Sequence, residues 1–459
     1  MKNLVNLIPF GLSSFTQANL GLFAGRRFLL LFVMAYMTNF YLLAQEDQSG
    51  YGLKSDSTES NYQNQDQLGG PKTIGAQLKA DNQKKESFYR VPVRVTKDWY
   101  SWKKNLNENT GIQLGINYTT VFMSASEVIS EENSKGTGGG ILDIQLGWNA
   151  VGRKSGKNKG TLFVKMNSRH AYGDKTSPMF HGIFESGYYG LPAVGFNDYS
   201  FRMLELNWQQ SLVDDKLTLI IGKVDPTNYF NFHGLVVPWT SFLGYGSSLS
   251  GTVNWPNQGF GIMAGYKFTD QIYAIAGLAD AYGDLFAKGD FLDFGENFFD
   301  GNFFKAFEVG FAPTMAERYF KKISLTFWQT DAYTNPSGTD IAGGEGVAVS
   351  THWFFQEKFA PYIRFAFSDG NGENAFYKKD LQIGHGMVFK SHDLLGTSLS
   401  VAETNIPDTK NQVTLEVYYR FHITEHLAIT PDFQWIFNPT LNPNADNLTY
   451  LGIRARATL

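Results

Sequence analysis

The chain has 459 residues, a formal net charge of -4 and no cysteine. A nearly balanced charge without a basic patch gives no support for a nucleic-acid partner, and the missing thiols exclude disulfides, thiolate metal sites and cysteine nucleophiles. Aromatic residues make up 15% of the chain and there are 47 glycines, while charged residues make up only 18%. This composition favours one large β-barrel over two or three soluble domains. In such a barrel apolar and polar residues alternate along each strand, so the average hydropathy of the chain stays mildly polar.

Residues 1–44 have the pattern of a signal peptide. Arg26 and Arg27 precede a mostly apolar run that is interrupted by two polar residues and ends at the small residue Ala44. We expect export and cleavage after Ala44. An N-terminal membrane anchor is the alternative, although the uninterrupted apolar stretch is shorter than the ~20 residues that a spanning helix needs.

The next segment, residues 45–95, is predicted to be a flexible periplasmic leader. Most of it is rich in Gln, Asn, Asp, Ser and Gly, with almost no branched apolar residues. Such a segment cannot bury enough apolar surface to offset the entropy that ordering costs.

A short helix is predicted to begin near residue 97, because Trp99, Trp102 and Leu106 then lie on one face. Two interpretations remain open at this point. The helix either packs beside the first strand of the barrel or forms a plug at the periplasmic mouth.

The stretch 201–230 shows the repeating unit of the remaining chain. It holds two runs in which apolar and polar residues alternate, joined by the connector 213–216 and ended by Pro226. The apolar positions are Leu204, Leu206 and Trp208 in the first run, and Leu217, Leu219 and Ile221 in the second. A period of two predicts a β-hairpin with one apolar and one polar face.

The same alternation recurs to the end of the chain, with short and long connections taking turns. We demote the polar segment 248–255 and predict an all-β fold over residues 96–459. It is a transmembrane antiparallel β-barrel of about 16 strands, an even number as in bacterial single-chain barrels, preceded by the short helical segment. At least one long loop is expected to fold inward and narrow the lumen.

Three stretches resemble the carbohydrate-selective porins of bacterial outer membranes, the OprB type. They are residues 201–230, residues 254–284 with a G-x-x-A-G-Y pattern, and residues 412–456 with E-x-Y-Y-R-F and T-P-D-x-Q. In the first stretch the matching residues are Leu204, Glu205, Leu206, Trp208, Gln210, Lys216, Leu217, Leu219, Gly222, Lys223, Asp225, Tyr229 and Phe230. The resemblance implies an outer-membrane porin of 16 strands, monomeric or homotrimeric, that passes small sugars passively.

The alternation places mixed charges and aromatic rings on the inner wall. Sugars offer apolar ring faces for stacking and hydroxyls for hydrogen bonds, so such a lining suits their passage. The family's constriction is lined by Arg, Glu and aromatic residues. The candidate pore-lining residues are therefore Glu205, Lys223, Asp225, Arg364, Glu416, Tyr418, Arg420 and Arg454. The plain alternative is that these charges merely pair across the wall and solvate a wide channel.

We find no motif for a nucleophile, a metal or a nucleotide, and predict no enzymatic activity and no cofactor. The expected partners are small carbohydrates and outer-membrane lipid. Two further functions stay open: a porin selective for anionic solutes, attracted by the lumen arginines, and a surface-binding barrel whose lumen is plugged.

Overall fold

The computed structural model describes residues 68–82, 97–283, 296–314, 317–356, 358–389 and 393–459. The signal peptide predicted for residues 1–44 lies outside the described residues, as does most of the leader predicted for residues 45–95. Sixteen antiparallel strands close into one barrel, in which β1 pairs with both β2 and β18. The predicted fold class and strand number are confirmed.

The barrel strands follow the chain order, and a two-stranded hairpin, β10–β11, extends from the connection between β9 and β12. The bounds are β1 Ile112–Ala125, β2 Gly136–Val151, β3 Gly160–Ala171, β4 Tyr199–Leu212, β5 Leu217–Val224, β6 Gly259–Lys267, β7 Ile272–Asp280, β8 Phe303–Phe311, β9 Lys321–Thr330, β10 Tyr333–Thr334, β11 Asp340–Ile341, β12 Gly344–Trp353, β13 Phe359–Ser368, β14 Tyr377–Val388, β15 Leu394–Thr404, β16 Gln412–Thr424, β17 Leu427–Phe437 and β18 Asn447–Thr458.

Alternation along each strand separates an apolar outer wall from a polar inner wall. On β8 and β9, Phe307 and Phe327 pair directly and are exposed on the outside. Their neighbours Glu308 and Thr326 are buried inside. A closed barrel leaves no unpaired strand edge, so every spanning segment satisfies its backbone hydrogen bonds within the wall.

The two rims differ in the length of their connections. Short turns such as 213–216, 268–271 and 425–426 lie at one rim, and long connections such as 172–198 and 225–258 lie at the other. We call these the short-turn rim and the long-loop rim. The demoted segment 248–255 belongs to the connection 225–258 and forms no strand.

Four α-helices accompany the barrel strands in the described residues: α1 Ile74–Asn82, α2 Lys97–Thr110, α3 Tyr245–Ser248 and α4 Glu296–Phe299. None of the helices in this part of the chain is long and apolar enough to cross a membrane.

Helix α2 is the predicted short N-terminal helix, and it packs beside β1. Its attachment is polar: Lys103 Nζ donates to the carbonyl of Leu459 at 3.0 Å, and the Tyr100 hydroxyl lies 2.8 Å from His426 Nδ1. Trp102, on the face that we expected to pack, is exposed. The helix thus lies at the short-turn rim beside the first strand rather than across the mouth.

Residues 68–82 form a buried segment inside the barrel, which we call the strap. It ends in α1, whose Leu78 side chain lies against the inner positions Gly115 and Gly147 near the short-turn rim. The prediction of a flexible leader does not hold for this stretch. That prediction counted apolar residues, whereas polar contacts such as the pairing of Asp81 with Arg456 hold the strap in place.

Candidate functional site

The connection between β5 and β6, residues 225–258, crosses the lumen, and we call it the inner loop. Nearly all of its residues are buried, which a loop on the barrel surface would not be. Its apolar side chains include Phe230, Phe232, Trp239 and Phe242, all inside the barrel. The expectation that a long loop folds inward is confirmed.

Arg364 holds the inner loop to the far wall. On β13 its side chain points inward and is fully buried. Its Nη2 donates to the carbonyl of Asn231 at 2.7 Å, and its Nη1 donates to the carbonyl of Ser248 at 3.4 Å. Nη1 also donates to Gln382 Oε1 on β14 at 3.0 Å. One guanidinium therefore fixes two distant points of the loop through charge-assisted hydrogen bonds.

Two further predicted arginines act in the same way. Arg454 on β18 donates to the carbonyls of Pro238 and Ser241, the latter at 2.9 Å. Arg420 on β16 donates to the carbonyl of Thr240 at 2.9 Å. The planar fork of donors suits a row of backbone carbonyls better than a single ammonium would.

Glu416 makes the complementary contact from β16. Its Oε1 accepts from the backbone N–H of Leu243 at 2.5 Å, and its Oε2 accepts from the N–H of Gly244 at 3.1 Å. The carboxylate is buried. Two successive N–H groups thus donate to the two oxygens of this carboxyl group, and Gly244 permits the approach, since a Cβ there would lie 2.9 Å from Glu416 Oε2.

Asp225 marks the start of the inner loop and ties its two ends together. Its Oδ1 accepts from the N–H of Thr227 at 2.9 Å, and its Oδ2 accepts from Gln258 Nε2 at 2.9 Å. Burial raises the pKa of Asp225, but the Lys72 ammonium and these hydrogen bonds outweigh that effect and hold the pKa below its usual range. Nearby, Glu205 on β4 accepts from Asn228 Nδ2 at 3.1 Å.

Tyr418 belongs to an aromatic cluster that packs under the loop. The Phe242 ring lies edge-on to Tyr418 at 5.0 Å and to Tyr362 at 5.8 Å. His233 stacks on Tyr362 at 3.9 Å. Burial, and then the charge of Arg364, lower the pKa of His233 well below its usual value, so its ring is neutral and accepts from the N–H of Leu235.

Lys223 lies next to an irregularity in β5. In the register it pairs with Leu206 and Phe260, which belong to the outer rows of β4 and β6. The preceding Gly222 has a φ of 132°, a conformation that L side chains rarely adopt, and it interrupts the alternation on β5. Its side chain is buried, unlike those of the outer positions Leu219 and Ile221 on the same strand, so a pore-lining position for Lys223 stays a prediction.

Sequence reasoning missed a buried ionic group around Glu308 on β8. Glu308 Oε1 lies 3.2 Å from Lys322 Nζ and accepts from the Tyr273 hydroxyl at 2.9 Å. Its Oε2 accepts from the N–H of Asn231 in the inner loop at 2.8 Å. The signal was present, because Glu308 alternates with Phe307 and Val309 and so falls on the inner row.

A second connection, residues 172–198, packs against the inner loop from the long-loop side. The N–H of Val194 donates to the carbonyl of Leu243 at 2.9 Å, and the N–H of Tyr245 donates to the carbonyl of Leu191 at 2.8 Å. His181 and Ser186 both contact the hydroxyl of Tyr450 on β18. The lumen is thus narrowed by two loops that share backbone hydrogen bonds.

Residues 380–459, from within β14 to the last residue, match the family model of the carbohydrate-selective porins, OprB family. The resemblance drawn from the sequence is thereby confirmed. A search of curated proteins finds no match.

Three solved structures are similar to this chain, and the likeness in fold rests on the first of them. The high-pH structure of Pseudomonas putida OprB has a TM-score of 0.61 at 14% identity, covering 82% of this chain and 99% of that chain. The low-pH structure of the same protein has a TM-score of 0.48 at 12% identity, covering 82% and 100%. A triple mutant of Rhodopseudomonas blastica porin has a TM-score of 0.45 at 11% identity, covering 76% and 100%. These relatives are porins, which are channels rather than enzymes.

Proposed function

We propose that the chain is a porin that lets small sugars diffuse passively down their gradient. The observation that carries this proposal is the match of residues 380–459 to the carbohydrate-selective porins, in a chain whose remaining strands close the same barrel. The inner wall adds chemical support, since its inner rows carry polar side chains suited to sugar hydroxyls, and the aromatic rings of Tyr418 and Tyr362 lie in the cluster that supports the inner loop. Weak contacts of both kinds let a sugar bind and leave again.

The predicted lining residues are proposed to set the bore of this pore. Arg364, Arg420, Arg454 and Glu416 do so by positioning the inner loop, whose backbone they contact. Tyr418 supports the same loop from below through Phe242. We propose that Glu205 and Asp225 fix the point at which the loop enters the lumen.

Selectivity for anionic solutes is less well supported. The guanidinium groups of Arg364, Arg420 and Arg454 are directed at loop carbonyls, and Arg456 pairs with Asp81. Because these N–H donors already bind loop carbonyls or a carboxylate, fewer of them are available to a passing anion than the number of lumen arginines suggested.

A surface-binding barrel with a plugged lumen is the second candidate. One observation favours it: the inner loop, the connection 172–198 and the strap all occupy the interior. A plugged barrel would bind its ligand at the long-loop rim and would not conduct.

The family also suggests where the chain works. We propose that it resides in the bacterial outer membrane, in contact with lipid, as a monomer or a homotrimer. Residues 1–44 would direct export, and residues 45–95 would form a leader ahead of the barrel domain, residues 96–459.

Liposome swelling tests the proposal. Purified, refolded protein is compared with empty liposomes in isosmotic neutral sugars of increasing size, in amino acids of similar size and in salts. We expect sugars to enter faster than amino acids of equal size. Absence of swelling with every solute, from protein whose gel mobility is heat-modifiable and therefore folded, would favour the plugged barrel.

A further inference from the structure

We propose that the strap, residues 68–82, is a gate that closes the short-turn half of the lumen. The strap must leave its bound position against the barrel wall, which we call its seat, before solute passes. This inference rests on the proposed function, because only a conducting barrel needs a gate. It assigns to the strap a role distinct from that of the inner loop, which remains in place.

The strap spans the full width of the barrel. At one end Asp81 binds Arg456 of β18 through two hydrogen bonds of 2.7 and 2.8 Å. At the other end Arg318, in the turn between β8 and β9, donates to the carbonyl of Leu68. In the order of strands around the barrel, β8 lies eight places from β18, which is half of the sixteen. The two attachment points therefore lie on opposite walls.

Between these points the strap lies directly against the inner loop. The N–H of Gly70 donates to the carbonyl of Asn228 at 2.7 Å, and Trp239 Nε1 donates to Gln77 Oε1 at 2.7 Å. A Cβ on Gly70 would lie 2.5 Å from the Phe232 ring, so glycine permits this approach. A solute that has passed the inner loop therefore meets the strap next.

The strap has few apolar anchors. Its fully buried large apolar side chains are Leu68, Ile74 and Leu78. Burial of three such side chains does not offset the conformational entropy that is lost when each of fifteen residues is fixed in one backbone conformation. The bound position of the strap therefore depends on its polar contacts. Polar contacts can be exchanged for water, and the strap is no part of the barrel wall.

The inner loop is attached quite differently. It continues into β5 and β6 at its two ends, and it buries Phe230, Phe232 and Phe242. The strap precedes all the barrel strands and can move without breaking any strand pairing. This difference is the physical basis for assigning motion to the strap.

A cysteine lock tests the gate cleanly because the chain contains no cysteine. In the double variant Leu78→Cys with Gly115→Cys, oxidation by copper phenanthroline joins the strap to β1. Leu78 Cδ2 is the atom nearest to a Cβ built on Gly115, at 2.8 Å, so shortening Leu78 makes room for the bridge. The matched control is Ser247→Cys with Ser398→Cys, which joins the inner loop to β15 where the two hydroxyls are already hydrogen-bonded.

We expect oxidation of the strap lock to slow sugar-driven liposome swelling about tenfold, and dithiothreitol to restore it. Oxidation of the loop lock leaves the rate unchanged. Gel mobility before and after heating verifies that each protein is folded, and the single-cysteine variants show that the effect needs the bridge.

Equal swelling of the strap lock in both redox states, at the wild-type rate, would overturn the gate and leave the porin intact. A third full-length variant, Asp81→Ala, is needed if the wild type shows no swelling, because it distinguishes a closed gate from a barrel that does not conduct. If the wild type does not swell but Asp81→Ala does, the strap is a gate that is closed at rest. If neither swells, the proposed porin function fails and the gate fails with it.

Discussion

The inner loop and the strap both lie inside the barrel, but the wall holds them by different means. Wall side chains bind the backbone of the inner loop, as Arg364 does at Asn231 and Ser248. The wall holds the strap at its two ends, where Arg456 pairs with the Asp81 side chain and Arg318 donates to the carbonyl of Leu68. Backbone contacts from several strands fix the path of the inner loop, whereas the wall fixes the strap at two points.

The two segments are expected to govern two different properties of the lumen. We propose that the inner loop sets the width of the bore and that the strap sets whether the bore is open. Variants at the two places are therefore expected to differ in kind. Loop variants change which solutes pass, and strap variants change how often they pass.

The largest effect is expected from Arg364→Ala. The change leaves the carbonyls of Asn231 and Ser248 without this buried donor, which costs on the order of 3 kcal/mol of folding free energy. We expect a wider bore, seen as a larger size limit for sugars in swelling and a higher single-channel conductance. Arg153→Ala, at an exposed position in the turn 152–159, is the control. An unchanged size limit would show that Arg364 does not set the bore.

Arg456→Gln should act on opening instead. The variant removes the charged partner of buried Asp81 and weakens the strap's seat by about 1.4 kcal/mol, which shifts the open fraction about tenfold. Single-channel records should show longer open times at the wild-type conductance level. Lys104→Gln removes a charge from an exposed pair on α2 and should change neither quantity. A changed conductance level with unchanged open times would contradict the division of roles.

Glu416→Gln is expected to have an intermediate effect on the inner loop. The amide keeps one oxygen to accept from the N–H of Leu243, but it presents an NH2 group to the N–H of Gly244. We expect a loss of about 1–2 kcal/mol in stability. Denaturant unfolding measures the loss, with Glu403→Gln on the outer wall as control. An equal loss in both variants would mean that the buried contacts of Glu416 with the inner loop do not stabilise the fold.

The smallest effect is expected at Asp225, and it depends on pH. Because the folded-state pKa of Asp225 lies below its unfolded value, its carboxylate stabilises the fold above the unfolded pKa, about 3.9, and this contribution is lost as the pH falls through the folded-state pKa. Asp225→Asn should therefore be less stable than the wild type at pH 7, with a difference that shrinks below about pH 4. Denaturant unfolding at a series of pH values measures it. A difference that grows on acidification would reverse the assignment.

Alternation in the sequence predicted the barrel and most of the inner wall. Arg364, Glu416 and Arg454 all lie inside, as their strand positions required. What these side chains contact was not predictable, because their partners are backbone groups of a loop more than one hundred residues away in the chain. Strict alternation from Leu219 and Ile221 would place Lys223 on the outer row, but Gly222 interrupts the alternation on β5 and the Lys223 side chain is buried.

The strap was missed for a related reason. Composition describes how much apolar surface a segment can bury, and residues 68–82 offer little. Composition does not show that Arg456 binds Asp81 on one wall of the barrel and that Arg318 binds the carbonyl of Leu68 on the opposite wall. Partners that become neighbours only after the barrel closes leave no local pattern in the sequence.

The most direct test of the sugar-porin account is the ion current through single barrels in a planar bilayer as a neutral sugar is added. The account predicts a measurable current that falls with sugar concentration and saturates, because sugar and ions share one narrow lumen. A current that ignores every sugar, or no current even from the Asp81→Ala variant, would contradict it.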